Sequence, residues 1–185
     1  PYIRMTNCHC SMCRKAHGAP FATYIRVDKN RFELLSGVES ITIYEASASF
    51  KRRFCSQCGS VTWIGGGDFI GVAAGCLNED PGIRSQQHIF TASKAPWHVI
   101  ADTLPQADEF TPGTNRPVIN RPGPATTEPG VLHGSCLCGG VAFTAALPIL
   151  AVYNCHCSRC RKARAAAHTT NGFVDPKGLH FLHGE

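Results

Sequence analysis

A ten-residue phrase occurs twice in this chain, as Asn7-Cys8-His9-Cys10-Ser11-Met12-Cys13-Arg14-Lys15-Ala16 and again from Asn154 to Ala163. The copies differ only at Met12 against Arg159. Each sets three cysteines as C-x-C-x-x-C, close enough for several thiolates to converge on one metal ion. The register continues without a gap: Val27-Asp28 matches Val174-Asp175, Leu35 matches Leu182 and Gly37 matches Gly184, every pair 147 positions apart. A chain built this way reads as a tandem repeat of a cysteine-rich unit, and its chemistry is expected to be metal chemistry.

Two further cysteine pairs break the symmetry. Cys55-Ser56-Gln57-Cys58-Gly59 occurs only in the first unit, and Cys136-Leu137-Cys138-Gly139 only in the second. In the register of the repeat, the partner of Cys136 would precede Pro1 and that of Cys55 would follow Glu185. One expectation is therefore a window on a longer two-unit protein, each unit lacking the segment the other shows. The other is a segment swap, with Cys136 and Cys138 reaching back to Cys55 and Cys58 to complete a four-thiolate site. Pro112, Pro117, Pro122, Pro124 and Pro129 make the intervening stretch a semi-extended linker able to span such a gap. The expected organisation is a first unit over 1–110, a proline-rich linker over 111–130, and the opening part of a second unit over 131–185.

At 185 residues and 43% hydrophobic, the chain can bury a core. No apolar run approaches the roughly 20 residues of a membrane helix, and the first residues do not read as a secretory signal. Ten of the eleven cysteines sit in tight groups that suit metal ligation better than long-range disulfides, so a reducing compartment, the cytoplasm, is expected. Cys76 stands alone, as a small buried hydrophobe or a reactive thiol. The net charge of +5 is spread out, densest at Lys51-Arg52-Arg53, with no basic tail and no aromatic interleaving. That cluster reads as solvated surface rather than a nucleic-acid footprint.

The fold class expected is mainly β. Runs over 21–27, 40–44, 49–54, 60–64, 69–74 and 139–144 read as strands, with a turn over 65–68 and a short helix after each triple-cysteine phrase. Cysteine turns would tie these strands together. A C-x-x-C pair followed by glycine suits a closed structural zinc site, whereas three thiolates from one loop leave the fourth tetrahedral position open for a substrate. Arg14 and Lys15 beside the loop would favour thiolates and attract an anion. His9 as a fourth ligand would make the loop structural, but its place between Cys8 and Cys10 turns its side chain away. His17, His88 and Trp97 are candidates for a pocket wall or for the core, and no general base stands out.

These residues resemble a known family. Asn7-Cys8-His9-Cys10-Ser11-x-Cys13-Arg14-Lys15, then Gly18-Ala19-Pro20-Phe21 and Phe54-Cys55-Ser56-x-Cys58-Gly59, are similar to the glutathione-dependent formaldehyde-activating enzyme (GFA) family, also called the centromere protein V-type domain. The match extends through Ala74 to Asn78, His88 to Phe90, Ser93 to Trp97 and Asp102 to Pro105, and Gly134 to Gly139 resembles the family's opening motif. The resemblance implies a small zinc-binding β-sheet fold. It also implies one zinc held by C-x-C and C-x-x-C pairs and another held by the triple-cysteine loop. Carried over, Cys8, Cys10 and Cys13 are ligands of one open zinc and Cys155, Cys157 and Cys160 of a second. Cys55 with Cys58, and Cys136 with Cys138, would each be half of a structural site. The activity implied is that of a carbon–sulfur lyase acting on a small thiol or thiol adduct such as glutathione. Rival expectations are a zinc module that binds a protein or chromatin, and a glutathione carrier without turnover. A homo-oligomer is compatible with either. Ala165-Ala166-Ala167-His168 replaces Gly-Ala-Pro-Phe in the second unit, which puts its activity in doubt.

Overall fold

Short runs of β-branched and aromatic residues between glycine and asparagine turns favour strands over helices. The computed structural model describes residues 4–48, 50–66, 69–114 and 128–185. Most of the proline-rich segment, and residues 67 and 68 of the expected turn, lie outside the described residues. Eight strands form one sheet: β1 (Arg4–Cys8), β2 (Ala22–Asp28), β3 (Ile41–Ser47), β4 (Phe50–Cys55), β5 (Val61–Gly66), β6 (Phe69–Ala73), β7 (His88–Ile89) and β8 (Gln106–Ala107). Their order is β3-β4-β5-β6-β2-β1-β7-β8. Neighbours pair antiparallel from β3 to β1, while β7 joins β1 and β8 joins β7 in parallel.

The register of this sheet positions the site. A single transverse row runs Arg4, Arg26, Gly71, Ile64, Arg52, Tyr44 across six strands. Side chains alternate between faces along a strand. Thr6 and Cys8 therefore share the face of Arg4, Tyr24 that of Arg26, and Phe50 that of Arg52. Gly71 in the middle of the row makes room for the Ile64 side chain, on which a Cβ there would press.

From Val131 on, β9 (Val131–Ser135), β10 (Ala142–Ala146) and β13 (Leu179–His183) form a three-stranded antiparallel sheet, and β11 (Ala151–Cys155) pairs with β12 (Thr169–Phe173). The strand expected from residue 139 starts at Ala142 instead. Gly139, in the left-handed region at φ +83°, closes the cysteine turn first, with its N–H bonded to the Cys136 carbonyl at 3.3 Å. Two seven-residue helices, α1 (Ser11–His17) and α2 (Ser158–Arg164), begin inside the repeated phrases. Among the described residues, no helix is long and apolar enough to cross a membrane.

α2 docks on the large sheet through its C-terminal end. Ser60 Oγ donates to the Lys162 carbonyl at 2.6 Å, Lys162 Nζ to Asn78 Oδ1 at 2.6 Å, and His17 Nδ1 to the Arg164 carbonyl at 2.7 Å. Ala165 and Ala166 are fully buried, and Ala165 joins the core cluster of Ala22, Tyr24, Val61, Ile64 and Ala73. A Cβ on Gly75 would fall on the Ala165–Ala166 peptide, so the approach requires glycine there. Gly75→Val is expected to lower the unfolding free energy by about 1–3 kcal/mol, measured as a shift of the urea midpoint.

Candidate metal centre and its cavity

Each repeated phrase makes the same corner. Asn7 at the end of β1 accepts from Thr23 Oγ1 at 2.8 Å, and Asn154 at the end of β11 accepts from Thr170 Oγ1 at the same distance. These bonds fix the strand end that carries Cys8 or Cys155. Cys10 and Cys157 then cap the helices, their sulfurs accepting the Cys13 and Cys160 amides at 3.3 and 3.4 Å. A strand end, a cap and a first helical turn thus bring three sulfurs together. In both Cys8/Cys10/Cys13 and Cys155/Cys157/Cys160 the sulfur atoms all lie within 4.8 Å of one another, a set that could hold a metal ion. Thiolate sulfur in such a cluster suits zinc.

Among the described residues, these two triads are the groups of three or more metal-binding side chains. Of the remaining five cysteines Cys76 stands alone, and the other four, Cys55 with Cys58 and Cys136 with Cys138, do not gather into a group of three or more among the described residues. Cys136 and Cys138 meet at 3.4 Å between their sulfurs, while the Cys58 thiol lies beside Cys55 and Ser60 and is held below its usual pKa, chiefly by Ser60.

The triads differ in what surrounds them. Cys8 and Cys13 are buried in the core of the large sheet, whereas Cys157 is exposed. Arg52 on β4, only 3% exposed, donates through Nη2 to Cys13 Sγ at 3.6 Å and through Nη1 to the Tyr24 hydroxyl at 3.0 Å. The Tyr24 hydroxyl donates in turn to His17 Nε2 at 2.6 Å, and His17 Nδ1 reaches the Arg164 carbonyl. Hydrogen bonds from Cys10 and Cys8, with Arg52 adding its charge, hold the Cys13 thiol well below its ordinary pKa. Cys8, the donor in those bonds and buried, is pushed up, and Cys10 is raised to about 12, chiefly by its bond with Cys13. Burial opposes the charge of Arg52, but Cys13 and Tyr24 outweigh it. In the second triad the register partners of His17 and Tyr24 are Arg164 and Asn171, so this relay has no counterpart there.

The cation hydrogen-bonded to the triad is Arg52, while Arg14 feels the charge of Cys10 as the sequence suggests. Lys15 instead donates to the Ser135 carbonyl at 3.1 Å. The solvated reading of Lys51-Arg52-Arg53 holds for Lys51, which pairs with Glu45 at 2.6 Å. It fails for Arg52, because strand alternation turns the middle residue inward. Arg53 packs over the Trp63 ring and bonds the Gly65 carbonyl at 3.2 Å.

His9 points away from the triad. It is fully buried with Nε2 2.7 Å from His88 Nδ1, and His88 Nε2 meets Asp102 at 3.1 Å. With Asp102 accepting from His88 Nε2–H, His88 Nδ1 accepts from His9. Burial and His88 pull the His9 pKa down to about 4, so His9 is neutral. His17 and His88 are core residues, while Trp97 is exposed and lines a small surface cleft beside Arg14 and Lys15. Cys76 donates to the Val61 carbonyl at 3.2 Å, and burial raises its pKa to about 11, which makes it a packing residue.

The first triad forms part of the wall of a cavity of about 480 Å³, a size typical of small-molecule sites. Met12, the one residue that distinguishes the phrases, lines it; its counterpart Arg159 is exposed. Phe50, Ile64, Phe69, Ile89, Phe90 and Phe110 supply the apolar wall, and Arg4, Arg26 and Arg52 the charge. Among the described residues, no histidine or carboxylate lines it. Arg52→Gln and Tyr24→Phe are each expected to cost about 1–3 kcal/mol of stability by leaving buried partners unsatisfied. Chemical denaturation of the two single variants and the double variant is expected to show a coupling energy of about 0.5–3 kcal/mol.

Comparison with known proteins agrees with this arrangement. The family model described as glutathione-dependent formaldehyde-activating enzyme matches residues 1–93 and 131–185. A protein of Halomonas elongata named "Putative glutathione-dependent formaldehyde-activating enzyme" is 35% identical over 63 residues, which make up 31% of this chain. The matched stretch is 40% of that protein's own length. With a mainly β fold, two thiol triads of metal-binding geometry and a family match over most of its length, the chain belongs to the glutathione-dependent formaldehyde-activating enzyme family.

Proposed function

We propose that this chain is a zinc-dependent enzyme that makes or breaks a carbon–sulfur bond on a small thiol, glutathione being the thiol its family name points to. The observation that carries this reading is the position of Cys8, Cys10 and Cys13 in the wall of the 480 Å³ cavity. Three thiolates from one corner would hold the metal and leave its remaining position facing the cavity. A metal bound there supplies Lewis acidity and affinity for sulfur.

The protein's own groups do the rest. Arg52 sits against Cys13 with a fixed positive charge, which favours anionic sulfur at the end of the cavity. The phenylalanine and isoleucine wall excludes water and strengthens that charge interaction. In the reaction class proposed, a thiol adds its S–H across the carbonyl of an aldehyde, or the adduct reverts. The wall positions sulfur and carbonyl carbon side by side. The second triad would be a metal site without a cavity of this kind, because none of its cysteines lines it.

Cys10→Ser is expected to lose one zinc per chain by elemental analysis. It should also slow formaldehyde-dependent consumption of glutathione thiol more than the ~10–100-fold loss usual when only a second-shell partner is removed. Unchanged turnover in this variant would sink the mechanism.

A further inference from the structure

Two arginines face each other at one end of the cavity, and among the described residues no carboxylate is paired with them. Arg4 on β1 and Arg26 on β2 are direct partners in the antiparallel register. Like charges placed opposite one another repel. Among the described residues no carboxylate pairs with either, and the cavity lining contains no aspartate, glutamate or lysine. The Arg26 guanidinium is nonetheless oriented, its carbon 4.1 Å from the centroid of the Phe69 ring. Gly71, next in the row, lines the same cavity without a side chain of its own. Both arginines are exposed and therefore reachable by a ligand.

We propose that Arg4 and Arg26 form a carboxylate clamp that selects the thiol substrate. A planar guanidinium fork matches the two oxygens of a carboxylate, and a bound anion relieves the repulsion between the pair. Cys8 lies four steps along β1 from Arg4, about 13 Å at the usual rise per residue. The clamp thus suits a thiol whose carboxylate lies on the order of 10 Å from its sulfur, the reach of about three extended residues. Small uncharged thiols would meet the metal end and leave the arginines uncompensated. This selection rests on the thiol-enzyme reading above.

The test titrates the zinc-loaded 185-residue chain calorimetrically with two probes, glutathione and its dimethyl ester, which differ in their carboxylates. Glutathione is expected to bind about 10–100-fold more tightly than the ester, with the gap closing as salt is raised. Arg4→Gln/Arg26→Gln, at exposed strand positions and checked for retained zinc and circular dichroism, is expected to erase that gap by weakening glutathione alone. Arg26→Lys, which keeps the charge but not the fork, should fall between the two. Equal binding of both probes to the wild type, or an unchanged gap in the double variant, overturns the clamp and leaves the thiol-enzyme reading standing. No binding of either probe to the zinc-loaded wild type overturns both.

Discussion

A guanidinium buried without a carboxylate is among the costliest things a fold can contain, and this one is organised around Arg52. Its charge is met by sulfur on one side and by a phenol on the other. The sulfur side couples the sheet to the metal corner. The phenol side runs through Tyr24 and His17 to the Arg164 backbone, and so reaches α2, the helix that begins in the second phrase. One buried cation therefore links the triple-cysteine loop, the central strands and α2. Replacing any member leaves another unsatisfied in a dry interior, where the penalty is largest.

Much of this was legible in the sequence, and the reasons differ by element. The central strands β2 to β6 carry dense β-branched and aromatic runs between turn residues, so their places could be read to within three residues, the largest miss being the far end of β3 at Ser47. β1 and β11 could not, because Arg4–Cys8 and Ala151–Cys155 mix polar and thiol side chains, and their strand character comes from pairing with β2 and β12. The two-residue strands β7 and β8 are too short to carry any periodicity. The triads were readable because spacing alone sets them. Arg52 was not, since its partner lies 39 positions away, and a run of three basic residues looks solvated until alternation along a strand is considered. A signal did exist for the asparagines: Asn7 with Thr23 and Asn154 with Thr170 recur in register, as do the aspartates Asp28 and Asp175 that cap short turns.

The two phrases show how one local design is separated into two environments. Their corners share caps, hydrogen bonds and sulfur spacing, yet one is sunk into a core and the other faces outward. The single sequence difference follows that division, with Met12 against the cavity and Arg159 on the surface. Ala165 repeats the left-handed backbone of Gly18, at φ 51° against 54°, without the glycine. The second corner accepts that strain because its alanine, unlike a larger side chain, fits the core beneath Gly75.

The parallel pairing of β1 with β7 has a consequence for assembly. The sulfur corner is closed by contacts within a few residues, so its loop entropy is small. The wall opposite it comes from Ile89, Phe90 and Phe110, and the β1 edge is covered only when residues some 80 positions later return to it. On a ribosome the N-terminal residues emerge first. The sulfur corner is thus available early, and the chamber around it is completed only after about a hundred further residues have been made. Formation of the thiol corner and formation of the pocket are separate events in the life of the chain.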